Sequence, residues 1–321
     1  NGDATRIPLP KSSSARQVVL DGTFDEATGS YVFVYENSAP GTVHTSLAVN
    51  WNLAVWNPGW TSAKVLDKQE VGLQPWVATT NGIVFYTKAT EASGRTIISV
   101  YSSSEDGSSR PVEVEHDAAR VLSDGPYLYF VKRKFAVGAT EPPDDQLRSG
   151  MTESELYVDQ VDTRTGKRMT LPGYVRSVAS LQVTAGLVGL SRADGTFDVL
   201  DNHGKLLHHV AIEGAMRVRY ITPISQGFVF QVDQINSPLH FYSAMAVLDG
   251  AAIKVVRIVT MGDQNDSYVT HMSRDNLIYW TDPATEHQST KSNDVIRSNF
   301  WHIATVEWIL QHSHGVEQLE S

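Results

Sequence analysis

Apolar and polar residues alternate in runs of strand length along the whole chain, and no segment sustains the spacing of an amphipathic helix. One turn recurs ahead of a buried run. Thr79-Thr80-Asn81-Gly82 leads into Ile83-Val84-Phe85-Tyr86, and Leu122-Ser123-Asp124-Gly125 into Pro126 to Phe130. Thr184-Ala185-Gly186 precedes Leu187 to Leu190, and Ser225-Gln226-Gly227 precedes Phe228-Val229-Phe230. Ser273 to Asn276 precedes Leu277 to Trp280, and near the start Ala27-Thr28-Gly29-Ser30 precedes Tyr31 to Tyr35. Glycine, or Asn in the Ser273 copy, stands where a tight hairpin needs a positive φ.

A second turn falls between successive copies: Asn57-Pro58-Gly59, Glu105-Asp106-Gly107, Asp162 to Lys167, Asp201 to Lys205, and Leu248-Asp249-Gly250. The unit is therefore strand a, tight turn, strand b, variable loop, strand c, Asp/Gly turn, strand d. It recurs every ~40–60 residues, the period of a four-stranded propeller blade. The expected architecture is an all-β β-propeller of six four-stranded blades in a single domain over residues 1–321. The blades fall at 16–70, 71–115, 116–172, 173–213, 214–262 and 263–311. The last lacks a convincing strand d. Thr5-Arg6-Ile7-Pro8-Leu9-Pro10 reads like strand d of the third blade, Lys167 to Pro172, so the N-terminal segment is expected to close the ring. A C-terminal strand at Val316 to Glu320 is the rival.

The Val161-Asp162-x-x-Thr165-Gly166-Lys167 turn resembles the repeat of TolB-like and YVTN-type bacterial propellers. The likeness covers nearly the whole chain as a fold-level rhythm. It implies a six-bladed ring and no single function, since such propellers include binding proteins, scaffolds and enzymes. A Trp-Asp dipeptide is absent, which disfavours WD40 repeats.

Composition narrows the function classes. The net charge of -10, with no Lys/Arg run, argues against nucleic acid as a partner. No apolar stretch reaches the ~18 residues of a membrane span. Cysteine is absent, so thiolate nucleophiles and disulfides are excluded. The chain starts at Asn1, and its polar, Ser/Pro-rich opening reads either as a stalk below a removed anchor or as a trimmed end. The expected location is extracytoplasmic: periplasmic, secreted or surface-anchored.

The b–c connections look long in five blades: Glu36 to Thr45, Lys88 to Arg95, Lys132 to Glu153, Gln234 to Phe241, and Asp282 to Asn293. The a–b turns on the other face are mostly tight. Elaboration of one face points to a binding surface for a protein or glycan of the cell envelope. Candidate ligand-binding residues are Arg120, Arg176, Arg219, His271 and Trp76 in or near inner strands, where arginines suit an anionic ligand. The plainer reading pairs these arginines with acids of neighbouring blades. Trp60, beside Pro58-Gly59, is the tryptophan expected to be exposed, whereas Trp51 has the parity of a core residue.

Asp263, Asn265 and Asp266 place three side-chain oxygens within four residues, a partial calcium set and the one cofactor the sequence suggests. Asx turns account for the same residues without metal. No catalytic motif of hydrolases, metalloproteases or nucleotide-binding enzymes occurs. The leading expectation is a binding or scaffold propeller. The alternative is a saccharide-active hydrolase or lyase with its site at the channel mouth.

Overall fold

The computed structural model describes residues 7–10, 16–38, 48–92, 95–134, 155–171, 178–192, 195–212, 214–234, 237–250, 252–258, 268–272, 277–281, 285–288, 295–298 and 301–312. It forms two compact units, residues 1–145 with 156–171, and residues 146–155 with 172–321.

Alternation of apolar and polar residues becomes antiparallel strands in both units. In the first unit, β1 (Arg16–Asp25), β2 (Ser30–Ser38), β3 (Ala48–Trp56) and β4 (Lys64–Leu73) pair in chain order as the first sheet. The second sheet holds β5 (Val77–Thr80), β6 (Ile83–Ala92), β7 (Arg95–Ser104) and β8 (Val112–Glu115). The third holds β9 (Arg120–Asp124), β10 (Tyr127–Lys134), β11 (Glu155–Asp162) and β12 (Arg168–Thr170).

The second unit repeats the order. β13 (Val178–Thr184), β14 (Leu187–Arg192), β15 (Thr196–Asp201) and β16 (Leu206–Ala211) make the fourth sheet. β17 (Ala215–Ile224), β18 (Gly227–Gln234), β19 (Ser237–Asp249) and β20 (Ala252–Arg257) make the fifth. A sixth sheet has three strands, β21 (Tyr268–Met272), β22 (Leu277–Thr281) and β25 (Trp301–Thr305). Between its last two strands lies a separate hairpin of β23 (Thr285–Gln288) and β24 (Val295–Ser298).

The recurring turn has the expected conformation. Asn81 and Gly82 have φ of 52° and 77°, and Ala185 and Gly186 have 48° and 76°. Two successive positive φ values match the right-handed twist of the flanking strands. The Asp/Gly turn is held by its acid: Asp162 Oδ1 accepts the Arg164 N–H, and Asp201 Oδ1 accepts the N–H groups of His203 and Lys205.

Apolar side chains of neighbouring sheets fuse into continuous clusters. Val32, Val34, Trp51, Leu53 and Val55 of the first sheet pack on Val84 and Tyr86 of the second. Phe197 and Val199 of the fourth pack on Phe228, Phe230 and Val232 of the fifth. Trp51 is fully buried, as its parity requires. Polar ties repeat as well: Thr80 Oγ1 donates to Gly125 O at 2.9 Å, and Thr184 Oγ1 donates to Ile224 O at 2.8 Å. Each tie runs from the end of one strand a to the a–b end of the next sheet.

An ion cluster adds to the seam between the second and third sheets. The Arg168 guanidinium reaches Glu115 at 2.7 Å and Asp159 at 2.5 Å, and Lys132 also pairs with Glu115. In the fourth sheet, Asp198 holds the same place relative to its turn as Asp159, three residues ahead of Asp201. It accepts from Arg192 Nε at 2.7 Å and lies 2.6 Å from His209 Nδ1.

Three expectations need correction. Residues 88–92 and 237–241 are strand and not open loop. The β6–β7 ladder runs from Ile83↔Ser104 to Ala92↔Arg95, and the β18–β19 ladder continues to Gln234↔Ser237. The β-branched residues Thr90, Thr96, Ile97 and Ile98 favour this extended pairing despite the polar residues among them. After β25 the chain turns into a helix, α1 (Val306–His312), and not into another strand. Thr305 Oγ1 accepts the Trp308 N–H at 3.1 Å as its cap, and Val306 and Ile309 bury against Met245, Val247 and Val256.

Lastly, the segment expected as a closing strand has no strand pairing over its described residues 7–10. Pro8 and Pro10 have no N–H to offer a ladder. Pro8 O accepts the Ala63 N–H at 2.9 Å, while Ile7 and Leu9 pack on Phe33, Tyr35 and Trp56 of the first sheet. Residues 5–6 and the rival strand at 316–320 lie outside the described residues.

Candidate functional site

In the first unit a cavity of about 370 Å³ opens where the turn ends of the first two sheets meet. Its lining comes from four turns: Thr28 and Ser30, Asn57 and Trp60, Gly82, and Ser104 to Asp106. Asn57 Nδ2 donates to Thr28 O and to Ser30 Oγ, which fixes one wall. Trp60, 36% exposed, stands at the turn after β3, and its carbonyl accepts the Trp56 indole N–H at 3.1 Å.

Two buried carboxyls lie at the seam. Asp25, 3% exposed at the end of β1, accepts N–H groups from Ala27 and, across the seam, from Gly82 at 2.9 Å. Glu105, 5% exposed, accepts the Thr28 hydroxyl on Oε2 at 2.7 Å, while its wholly buried Oε1 accepts no hydrogen bond among the described residues. Burial pushes the Glu105 carboxyl above the usual carboxylate range. The Thr28 and Ser30 hydroxyls work against that rise, and the charge and hydrogen bond of Asp25 add to it. Asp106, at the rim, is the opposite case. Hydrogen bonds from Ser108 and Ser104 hold it down to about 2, so it is ionised.

A raised carboxyl stabilises the fold only while protonated. The contribution of Glu105 is full below its unfolded-state value and is lost as pH rises through its folded-state value. Glu105→Gln keeps a neutral group at any pH. Its melting temperature is expected to depend less on pH than that of the unsubstituted chain between about pH 4 and 8. Parallel melting curves for the two proteins across that range would contradict a Glu105 carboxyl raised by burial.

Of the residues expected from sequence, Trp60 is the one this cavity contains. Arg120 and Trp76 are brought together, but against each other: the guanidinium carbon lies 4.1 Å from the centre of the indole ring, and Arg120 is buried. The backbones of Arg219 and His271 pair with Gln231 and Tyr279, and their side chains lie outside the description. Arg176, Asp263, Asn265 and Asp266 lie outside the described residues altogether. Among the described residues no group of three or more His, Asp or Glu side chains is placed to hold a metal ion.

Sequence reading missed Glu105 and Asp25, and the repeat itself held the signal. The Glu105 N–H donates to Gly82 O, as Thr163 N does to Pro126 O and Leu248 N to Gln226 O. The same place therefore carries Glu, Thr or Leu. Asp25 ends strand a where Thr80 and Thr184 end theirs. Acids occur at both positions only where the first and second sheets meet, among the described seams.

Successive sheets of four antiparallel strands in a–b–c–d order are the blades of a β-propeller. The chain is similar to the solved structure of oligogalacturonate lyase from Vibrio parahaemolyticus, at 9% identity over 96% of this chain and 88% of that one, with a TM-score of 0.51. It also matches the β-propeller domain of the Trilobed protease from Pyrococcus furiosus (8% identity, 75% and 70% covered, TM-score 0.44). A third match is the WD40 β-propeller domain of Doa1 (10% identity, 92% and 84% covered, TM-score 0.45). At these identities the likeness is one of fold. No protein-family model matches the sequence, and a search of curated proteins finds no match. No helix among the described residues is long and apolar enough to cross a membrane.

Proposed function

We propose that this chain is an extracytoplasmic recognition propeller, six sheets closed in a single ring, that docks a protein of the cell envelope on its b–c face. The observation that carries this reading is the contrast between the two ends of the sheets. At the a–b ends, β5–β6, β9–β10, β13–β14 and β17–β18 close in two-residue turns. At the b–c end of the second sheet the hairpin is prolonged. β6 and β7 pair as far as Ala92↔Arg95, although β5 leaves β6 at Tyr86 and β8 leaves β7 at Val100. The β23–β24 hairpin is a further b–c addition. Prolonged hairpins at one end of a rigid scaffold are the usual carriers of recognition.

The test is site-specific photo-crosslinking from exposed Thr90, on the β6–β7 hairpin, in cell-envelope preparations. One discrete protein adduct is expected. It should be lost when residues 90–97 are replaced by an Asn-Gly turn, and absent when the crosslinker sits at Glu26 on the turn end. Equal adducts from Glu26, or retention of a glycan in place of a protein, would overturn the docking surface.

The rival reading, a saccharide-cleaving enzyme, has the Asp25–Glu105 pair in its favour. Its geometry speaks against it. Asp25 does not line the cavity, and its two oxygens accept the Ala27 and Gly82 N–H groups.

A further inference from the structure

Four of the buried acids of this protein are paired with a cation. Glu115, Asp159, Asp198 and Asp233 each hold an Arg or Lys: Lys132, Arg168, Arg192 or Arg217. Asp25 and Glu105 hold none among the described residues, although both are as deeply buried. Burying carboxyls without a counter-charge is costly. The fold does not demand it, since Thr80, Thr184, Thr163 and Leu248 serve at the corresponding places. A site that breaks the repeat's own rule without structural gain is where function is expected.

Three further facts say what would relieve the cost. The cavity of about 370 Å³ opens on Glu105, whose Oε1 is an unused acceptor. Ionised Asp106 adds negative charge at the rim, with Lys64 Nζ engaged on the Asp106 carbonyl. Trp60 lines the same cavity and supplies an aromatic wall. A donor-rich cation with an apolar stem matches all three: an ammonium head for the carboxyls and a hydrocarbon tail for the indole.

We propose that this cavity binds a small alkylammonium ligand, with Glu105 as its counter-charge and Trp60 as its apolar wall. Binding is an exchange. Burial favours a proton on Glu105, and the ligand's N–H groups displace that proton to solvent. The proposal does not rest on the docking surface, since it uses the opposite ends of the sheets.

The test uses the full chain with cadaverine as the ammonium probe, n-pentanol as a neutral probe and calcium chloride as a metal probe. Titration calorimetry in buffers of different ionisation enthalpy reads affinity and proton release together. Saturable cadaverine binding with release of a proton is expected. Glu105→Gln should bind at least about tenfold more weakly, the loss of one charged hydrogen bond, and release none. Trp60→Ala should weaken binding about two- to fivefold. Pentanol binding as tightly as cadaverine, calcium binding in its place, or unchanged affinity in Glu105→Gln would each overturn the proposal. Should Glu105→Gln lose its cooperative melt, Trp60→Ala carries the test, because Trp60 is exposed.

Discussion

Valine in place of Gly189 is expected to cost about 3 kcal/mol, the upper part of the range for overpacking a core. Gly189 sits mid-strand in β14, paired with Gln182 and Val199. A β-carbon there would lie 2.9 Å from two ring carbons of Phe228 and 3.0 Å from Phe197 Cζ. Neither ring has room to retreat. Both are fully buried, and Phe197 is stacked on Phe230 with ring centres 4.4 Å apart. The missing side chain is therefore what lets three aromatic rings meet between the fourth and fifth sheets. The melting temperature should fall by roughly 6–12 °C, and Phe228→Leu in the same chain should recover part of the loss. An unchanged melt for the single variant would show that the rings give way more easily than their packing implies.

Glu115→Ala is the second large effect, also about 3 kcal/mol, because it leaves a cation without its partner in a dry place. Lys132 has a side chain only 14% exposed and would keep Asp159 alone, at 3.7 Å. Arg168 would keep Asp159 at 2.5 Å. Burial works to raise both acids, but the bonds to Arg168 and Lys132 hold Glu115, and those to Thr170 and Arg168 hold Asp159, below the usual carboxylate range. Their contribution is thus present above about pH 4 and is lost as pH falls through the lowered values. Melting temperatures measured from neutral to acid pH should converge for the two proteins as the cluster is protonated. A gap that stays constant into acid would mean the loss comes from packing and not from charge.

The repeat was readable because its turns are chemically constrained. Gly82 and Gly186 follow a residue that already has positive φ, and few sequences satisfy that twice in succession. Sheet limits follow from those turns, so the predicted blades at 71–115 and 214–262 enclose β5–β8 and β17–β20. Connections were harder to read. Thr90-Glu91-Ala92 looks like a loop by composition, yet all three residues pair with Arg95 to Ile97, since pairing is decided by the opposite strand. The seam site was harder still. Glu105 and Asp25 are eighty residues apart in the numbering of the chain, and only the fold puts them side by side. What the sequence did hold was Glu105, an acid where sister units carry Thr163 or Leu248, whereas strand a ends in an acid at Asp124 as well as at Asp25. Trp60 was legible by itself, because a Pro-Gly turn cannot bury an indole among strands.

The position of Arg168 has a consequence beyond the seam it ties. It lies on β12, a three-residue strand bonded to β11 and forming one margin of its sheet. Free margins of this kind recruit strands from other molecules, and short length and fixed charge are what discourage them. The guanidinium that neutralises Glu115 and Asp159 also stands guard on that border. Its loss would change not only how firmly one molecule holds together but how readily two molecules join.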